Sequence, residues 1–278
     1  MRFVPLFLAV PLLLAGCAHT PREPLAVPLP EGAPAVGDIL ADLAAQQDRF
    51  DRFQVAGSLV AKLPGDAAAY VLRNTRLACV APDRVHVDAR KHGARAFLLT
   101  ASSDGYVVLS PAKKTYAFGT EGLVLEGASG RFTPALLARE LLLGRDWAAV
   151  AARTAVLTSF DPATGEAALT LHDTPRRRAV TGRLIVAGGP PWRVLLDRRL
   201  DPATGQVLAE TNREGYADWD GVPFPGRVET RLPGRDAWMR LDVRNLDLDP
   251  ELDPVDFDVE AALADARRRG YERVEVME

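Results

Sequence analysis

From Gln54 onward the chain breaks into short segments in which apolar and polar residues alternate, each ending at a turn signal. In Gln54–Leu63, apolar Val55, Leu59, Ala61 and Leu63 alternate with polar Ser58 and Lys62. A period of two is that of a strand with one buried and one wet face. The same reading gives strands over 69–80, 84–90, 95–101, 106–110 and 115–118. Between them stand Pro64-Gly65-Asp66, Ala81-Pro82-Asp83, His92-Gly93, Ser103-Asp104-Gly105 and Ser110-Pro111. Spacing this close leaves no room for crossover helices, so the sheet is expected to be an antiparallel meander. Strands resume over 156–160, 167–172, 179–186, 192–200, 207–214, 227–232 and 238–246. Asp-Pro-Ala-Thr-Gly occurs at 161–165 and again at 201–205. Pro presets φ and the closing Gly takes φ > 0, so two hairpins made alike are expected.

Helical spacing frames these strands. Val36, Ile39, Leu40, Leu43, Phe50 and Phe53 share one side of a 3.6-residue period, which predicts a helix over 36–53 with Asp38 near its start as a cap. Thr133, Pro134 and a stop at Gly144 predict a second helix, and Asp146 a short third one over 147–153. Glu260–Arg269 reads as a charged helix in the tail.

At the N-terminus, Arg2 precedes an apolar run from Leu6 to Ala15, too short to span a bilayer. That is the pattern of a secretory signal. Leu14-Ala15-Gly16-Cys17 resembles the lipobox of bacterial lipoproteins. The resemblance implies cleavage before Cys17 and a diacylglycerol on its thiol; the alternative is an ordinary secreted protein with a chance Cys at that place. Pro21, Pro24, Pro28, Pro30 and Pro34 make 17–35 an extended tether, on the order of 3 Å per residue. Ala18, where the best-known sorting rule places a retaining Asp, favours the outer membrane. The expected organisation is a signal peptide at 1–16, a lipidated tether at 17–35, one β-rich domain at 36–258 and a charged tail at 259–278.

Removing residues 1–16 takes the formal net charge from −3 to −4, a poor balance for nucleic-acid binding. With Cys17 lipidated, Cys79 lacks a partner and, in Leu77-Ala78-Cys79-Val80, reads as a small buried hydrophobe. No Gly-x-Ser-x-Gly elbow, phosphate-binding glycine loop or His-Glu-x-x-His is present. His86, His92 and His172 read as solvated surface residues rather than catalytic ones. The run Asp247, Asp249, Glu251, Asp253, Asp256 and Asp258 lacks the central Gly and closing Glu of a calcium loop, so a solvated connector is expected and no metal. Arg176-Arg177-Arg178 reads as a solvated turn, with lipid headgroups as the sharper alternative. The chain is expected to be a non-enzyme without cofactors, and a monomer.

The order of elements behind a lipobox resembles the LolA/LolB lipoprotein-carrier superfamily. Asp48-Arg49-Phe50-Asp51-Arg52-Phe53, Val55-Ala56-Gly57-Ser58-Leu59, Gly105–Leu109 with Lys114–Gly119, and Tyr216 through Asp220-Gly221-Val222-Pro223-Phe224-Pro225 carry the likeness, which spans 36–257. It implies an α+β fold: an unclosed antiparallel half-barrel whose concave face is covered by helices. The apolar space between would bind acyl chains of a lipid or an acylated lipoprotein. The family's functional residues do not transfer, because the loops do not align. Alternation alone nominates Leu59, Leu63, Val228, Leu232, Met239, Leu241 and Val243 as one apolar surface under the first helix, either an open cavity or ordinary core. A scaffold lipoprotein that holds an envelope protein, its core simply filled, is the competing function; cavity volume separates the two.

Overall fold

The computed structural model describes residues 28–62, 65, 67–120, 123–124, 131–132, 134–150, 154–174, 176 and 179–274. Cys17, Leu63, Arg177 and Arg178 lie outside them. The chain opens with helix α1 (Val36–Gln47), followed by β1 (Arg52–Lys62), β2 (Tyr70–Val80), β3 (Arg84–Lys91), β4 (Ala94–Ser102), β5 (Gly105–Ser110) and β6 (Thr115–Gly119). A small hairpin, β7 (Leu123–Val124) and β8 (Arg131–Phe132), leads to helix α2 (Pro134–Leu143). Then come β9 (Ala155–Asp161), β10 (Glu166–His172), β11 (Val180–Ala187), β12 (Arg193–Leu200), β13 (Val207–Trp219), β14 (Val222–Leu232) and β15 (Ala237–Asp247). Helix α3 (Val259–Arg268) and β16 (Glu272–Arg273) close the described chain.

Fourteen strands form one unclosed sheet in the order β16-β6-β5-β4-β3-β2-β1-β15-β14-β13-β12-β11-β10-β9. Every pairing in it is antiparallel except β16 on β6. Each hairpin joins sequence neighbours, as the turn spacing requires; the β1–β15 pairing, and at the sheet's edge the short β16–β6 pairing, bring the two halves of the chain together. Both Asp-Pro-Ala-Thr-Gly copies turn hairpins alike. Asp161 and Asp201 accept from the amides of Ala163 and Ala203, and Gly165 and Gly205 take φ of 67° and 72°.

The helices sort to two faces by side-chain alternation. On β4 and β5, Leu99, Tyr106 and Val108 pack on the side of Phe53, Phe224 and Leu142 of α2, whereas Leu98, Val107 and Leu109 pack against Val259, Leu263 and Ala266 of α3. On the α2 side, Ile39, Leu40 and Leu43 of α1 cover β9–β12 through Leu157, Leu169, Leu184 and Val186.

Several expectations need correction. The first helix stops at Gln47, and Phe53 is instead the first inward residue of β1. Its N-cap is Ala35, and no side chain caps it, Asp38 included. Trp147–Ala149 is a turn pinned by Asp146 rather than the start of a helix. It folds back because Gly144 takes φ of 89° and the Trp147 indole sits where a Cβ on residue 144 would be. The β13–β14 hairpin is longer than its alternation suggests, because Asp220 and Gly221, both at positive φ, turn the chain tightly at its tip. His86 is not a solvated surface residue. It is half-buried, with Nδ1 2.7 Å from the Asp256 carbonyl and its ring edge toward Phe257. In the acidic connector, Asp253 and Asp258 cap the 3₁₀ turn Pro254–Phe257 and helix α3.

Candidate functional site

Strand register decides which of the nominated residues share a surface. Leu59 lies opposite Leu241, and Leu241 opposite Val228. Val243 lies opposite Gly57, and Met239 opposite Ala61 and Thr230. Leu232 follows Thr230 by two, on the same side. Directly opposed residues in an antiparallel pair project to the same face, so Leu59, Val228, Leu232, Met239, Leu241 and Val243 share one face. Arg227, Glu229, Arg240 and Asp242 alternate onto the other, where Arg227 pairs with Asp242. Gly57 lets β15 close on β1: a Cβ there would stand 2.2 Å from the Asp242 carbonyl oxygen.

Burial changes along this face. Val228, Leu241, Phe53, Val55 and Phe224 are buried, whereas Leu59, Leu232, Met239 and Val243 are only partly so. Further out in the same register, opposite Ala61, Tyr70 is 47 % exposed. On strand β2 alone the chain passes from exposed Tyr70 to Cys79 at 2 % exposure. Burial pushes the Cys79 thiol up to about 12, against the opposing field of Arg139.

The C-terminal half of α2 is tied over this face by polar groups that the alternation pattern does not announce. Arg213, opposite Val228 on β13, donates from Nε to the Leu142 carbonyl at 3.3 Å and from Nη2 to those of Glu140 and Leu141 at 3.1 and 3.0 Å. These are carbonyls of the last helical turn, where intrahelical partners run out; that of Glu140 also accepts from the Gly144 amide at 2.8 Å. Arg199 pairs with Glu140, and Arg145 with Asp197 at 2.7 Å. Burial raises the Glu140 carboxyl, with Arg199 opposing. Gln47, the last residue of α1, donates to the Arg145 carbonyl at 2.8 Å and accepts from the Trp147 amide at 3.2 Å. Sequence reasoning missed Arg213, Asp197 and Gln47. The available signal was Arg213 itself, a charge on the inward side of β13 next to Thr211.

Where α1, α2 and the sheet meet, a crevice of about 40 Å³ remains, lined by Leu43, Phe50, Leu142, Trp147, Arg213 and Tyr216 among others. Burial pushes the Tyr216 hydroxyl up to about 12, although Arg213 opposes it. Two wider, open depressions lie elsewhere: one of about 540 Å³ beside Arg49, Arg52, Pro82 and Leu248, and one of about 480 Å³ between Arg84, Phe118, Phe257 and Glu260. Among the described residues no group of three or more His, Cys, Asp or Glu is placed to hold a metal, and no helix is long and apolar enough to cross a membrane.

No protein-family model matches the chain, and no curated protein matches it at a significant level. Solved structures do. A DUF1329 family protein from Desulfovibrio piger superposes with a TM-score of 0.52 at 12% identity, covering 82% of this chain and 99% of that one. A putative outer membrane lipoprotein-sorting protein domain from Vibrio parahaemolyticus gives 0.49 at 12% identity, over 80% and 97%. A LolA superfamily protein from Nitrosomonas europaea gives 0.47 at 16% identity, over 80% and 97%. The solved structures that this chain resembles thus include LolA superfamily and outer membrane lipoprotein-sorting domains beside a DUF1329 family protein, and what the first of the three shows is a shared fold, the large unclosed β-sheet.

Proposed function

We propose that this chain is an envelope lipoprotein, anchored through lipid on Cys17, that holds acyl chains of a lipid or an acylated protein on the apolar face of its sheet. In this reading α1 and α2 cover the concave side of a half-barrel. The acyl chain lies along Leu59, Met239 and Leu232, beyond the buried Leu241 and Val228, and leaves past Tyr70. One observation carries it: along one register the apolar residues pass from buried Leu241 and Val228 to partly buried Leu59, Met239 and Leu232 and exposed Tyr70, with buried Thr230 and Ala237 among them. An apolar surface left partly open is unfavourable at roughly 25 cal/mol per Å² in water, which is the driving force an acyl chain would satisfy. No bond is made or broken; transfer follows from a difference in affinity between this face and the acceptor.

A specific observation favours the second reading, a scaffold lipoprotein that holds an envelope protein. The crevice of about 40 Å³ between α1, α2 and the sheet is far below the several hundred Å³ of a usual ligand pocket. Acyl binding therefore requires the open end of the face or a displacement of α2. Native mass spectrometry of the gently purified chain tests the first reading. Co-purifying lipid or acylated peptide supports it; a single apo mass, with no uptake of a fluorescent fatty acid, would leave the scaffold. The anchor has its own test. Cys17→Ala should release the protein from membranes, and a variant that still sediments with them after a high-salt wash would contradict the lipid attachment.

A further inference from the structure

Arg213 is 3 % exposed. Its Nε and Nη2 serve the α2 carbonyls, but its Nη1 is buried without a partner among the described residues. Such a donor is costly to leave unmet, more so when charged. Arg213 lines the crevice of about 40 Å³ between α1, α2 and the sheet. Tyr216, Trp147, Gln46 and Gln47 on the same wall already donate elsewhere, to the carbonyls of Val194, Leu143, Trp192 and Arg145 respectively. Arg213 is thus a donor left over on that wall.

The charge around it does not balance. Among the described residues, Arg145, Arg199 and Arg213 face Asp197 and Glu140, three guanidiniums against two carboxylates. The carbonyl end of α2 offsets about half a charge. A water in the crevice would satisfy Nη1 but leave the remaining positive charge buried. We infer that the crevice beside Arg213 is a site for one small monovalent anion, a halide or a carboxylate group, held by Nη1. Its volume suits one such group, little more than the roughly 30 Å³ of a water. Occupancy neutralises Arg213 and so fastens α2 to β13. The anion has two possible sources, free halide or the carboxylate head of a fatty acid; the site itself does not depend on the acyl-carrier reading.

The test uses the full chain in a non-ionic detergent. Replacing gluconate by bromide at constant ionic strength should raise Tm by about 2–4 °C and saturate, whereas Arg213→Gln should show no saturable rise. Crystals of the wild-type chain grown in bromide should show an anomalous peak within hydrogen-bonding reach of Nη1. Laurate that abolishes the bromide response identifies the anion as a fatty-acid carboxylate; laurate that leaves the response intact identifies free halide. Both results support the site. A crystal without that peak overturns it, whether or not Arg213→Gln folds, as does a bromide response equal in wild type and variant.

Discussion

Two walls of the same sheet, made from the same alternation, end in different states. Across β9–β12 the inward residues Leu169, Leu184 and Val186 are sealed by Ile39, Leu40 and Leu43 of α1 and by Trp147. Across β1, β14 and β15 the inward residues are sealed around Phe53 and Phe224, whereas toward the other end Leu59, Met239 and Leu232 are only partly buried, beside buried Thr230 and Ala237. The strands do not differ in kind. α1 lays three buried apolar residues on its wall; among the described side chains of α2, Leu142 and Leu143 pack on the other. Apolar alternation therefore marks a face that must be covered, without telling by what.

The largest effects are expected on the sealed wall. Leu184, at 0 % exposure, should cost about 2–5 kcal/mol when changed to Ala. Met239→Ala on the open wall should cost under about 1 kcal/mol, since a partly exposed side chain leaves little new void. Urea denaturation of both variants checks this, and equal losses would erase the contrast. Within the open wall, Leu241→Trp at the buried end should overpack the core by about 1–3 kcal/mol. Met239→Trp should be tolerated and should lower uptake of a fluorescent fatty acid. A Met239→Trp as damaging as Leu241→Trp would mean that the face is filled throughout.

The sheet was readable because period-two alternation and turn chemistry are local. The order of strands within each half followed from short connections, whereas the β1–β15 pairing that joins the halves did not; the paired Asp-Pro-Ala-Thr-Gly turns followed from Pro and Gly alone. The end of α1 was misread because Phe50 and Phe53 continue its spacing by coincidence. Phe53 faces the core whether the backbone is helix or strand, so burial cannot distinguish the two. Of the site, the shared face of Leu59, Val228, Leu241 and Met239 was legible from alternation. The Arg213–α2 contact was not, because it joins residues 71 to 73 positions apart through backbone carbonyls, which carry no sequence signature. His86 was misjudged for a like reason: its partner is the carbonyl of Asp256.

Smaller effects sharpen the boundary between the walls. Gln47→Ala removes two hydrogen bonds that join the end of α1 to the turn before Trp147. It should cost about 1 kcal/mol or somewhat more while leaving fatty-acid uptake unchanged; a loss of uptake would couple the two walls. Cys79 probes the buried end of the open wall. Its folded pKa of about 12 lies above the ordinary 9.0, so the folded state keeps a proton that the unfolded state loses. The stability this provides is complete below pH 9 and is lost as pH rises toward 12. Between pH 8 and 9.5 the loss attributable to Cys79 should stay under about 1 kcal/mol. Cys79→Ala should flatten the alkaline slope by that amount, as read from denaturation curves at each pH; an unchanged slope would mean that water reaches the thiol.

The central claim is that the half-covered wall, and not the sealed one, receives acyl chains. Irradiating the protein with a photoreactive fatty acid and mapping the adducts by peptide mass spectrometry tests it most directly. The account predicts adducts on β1, β14 and β15, at Leu59, Leu232 and Met239, competed away by unlabelled fatty acid. Adducts confined to β9–β12, or no saturable labelling at all, would contradict it.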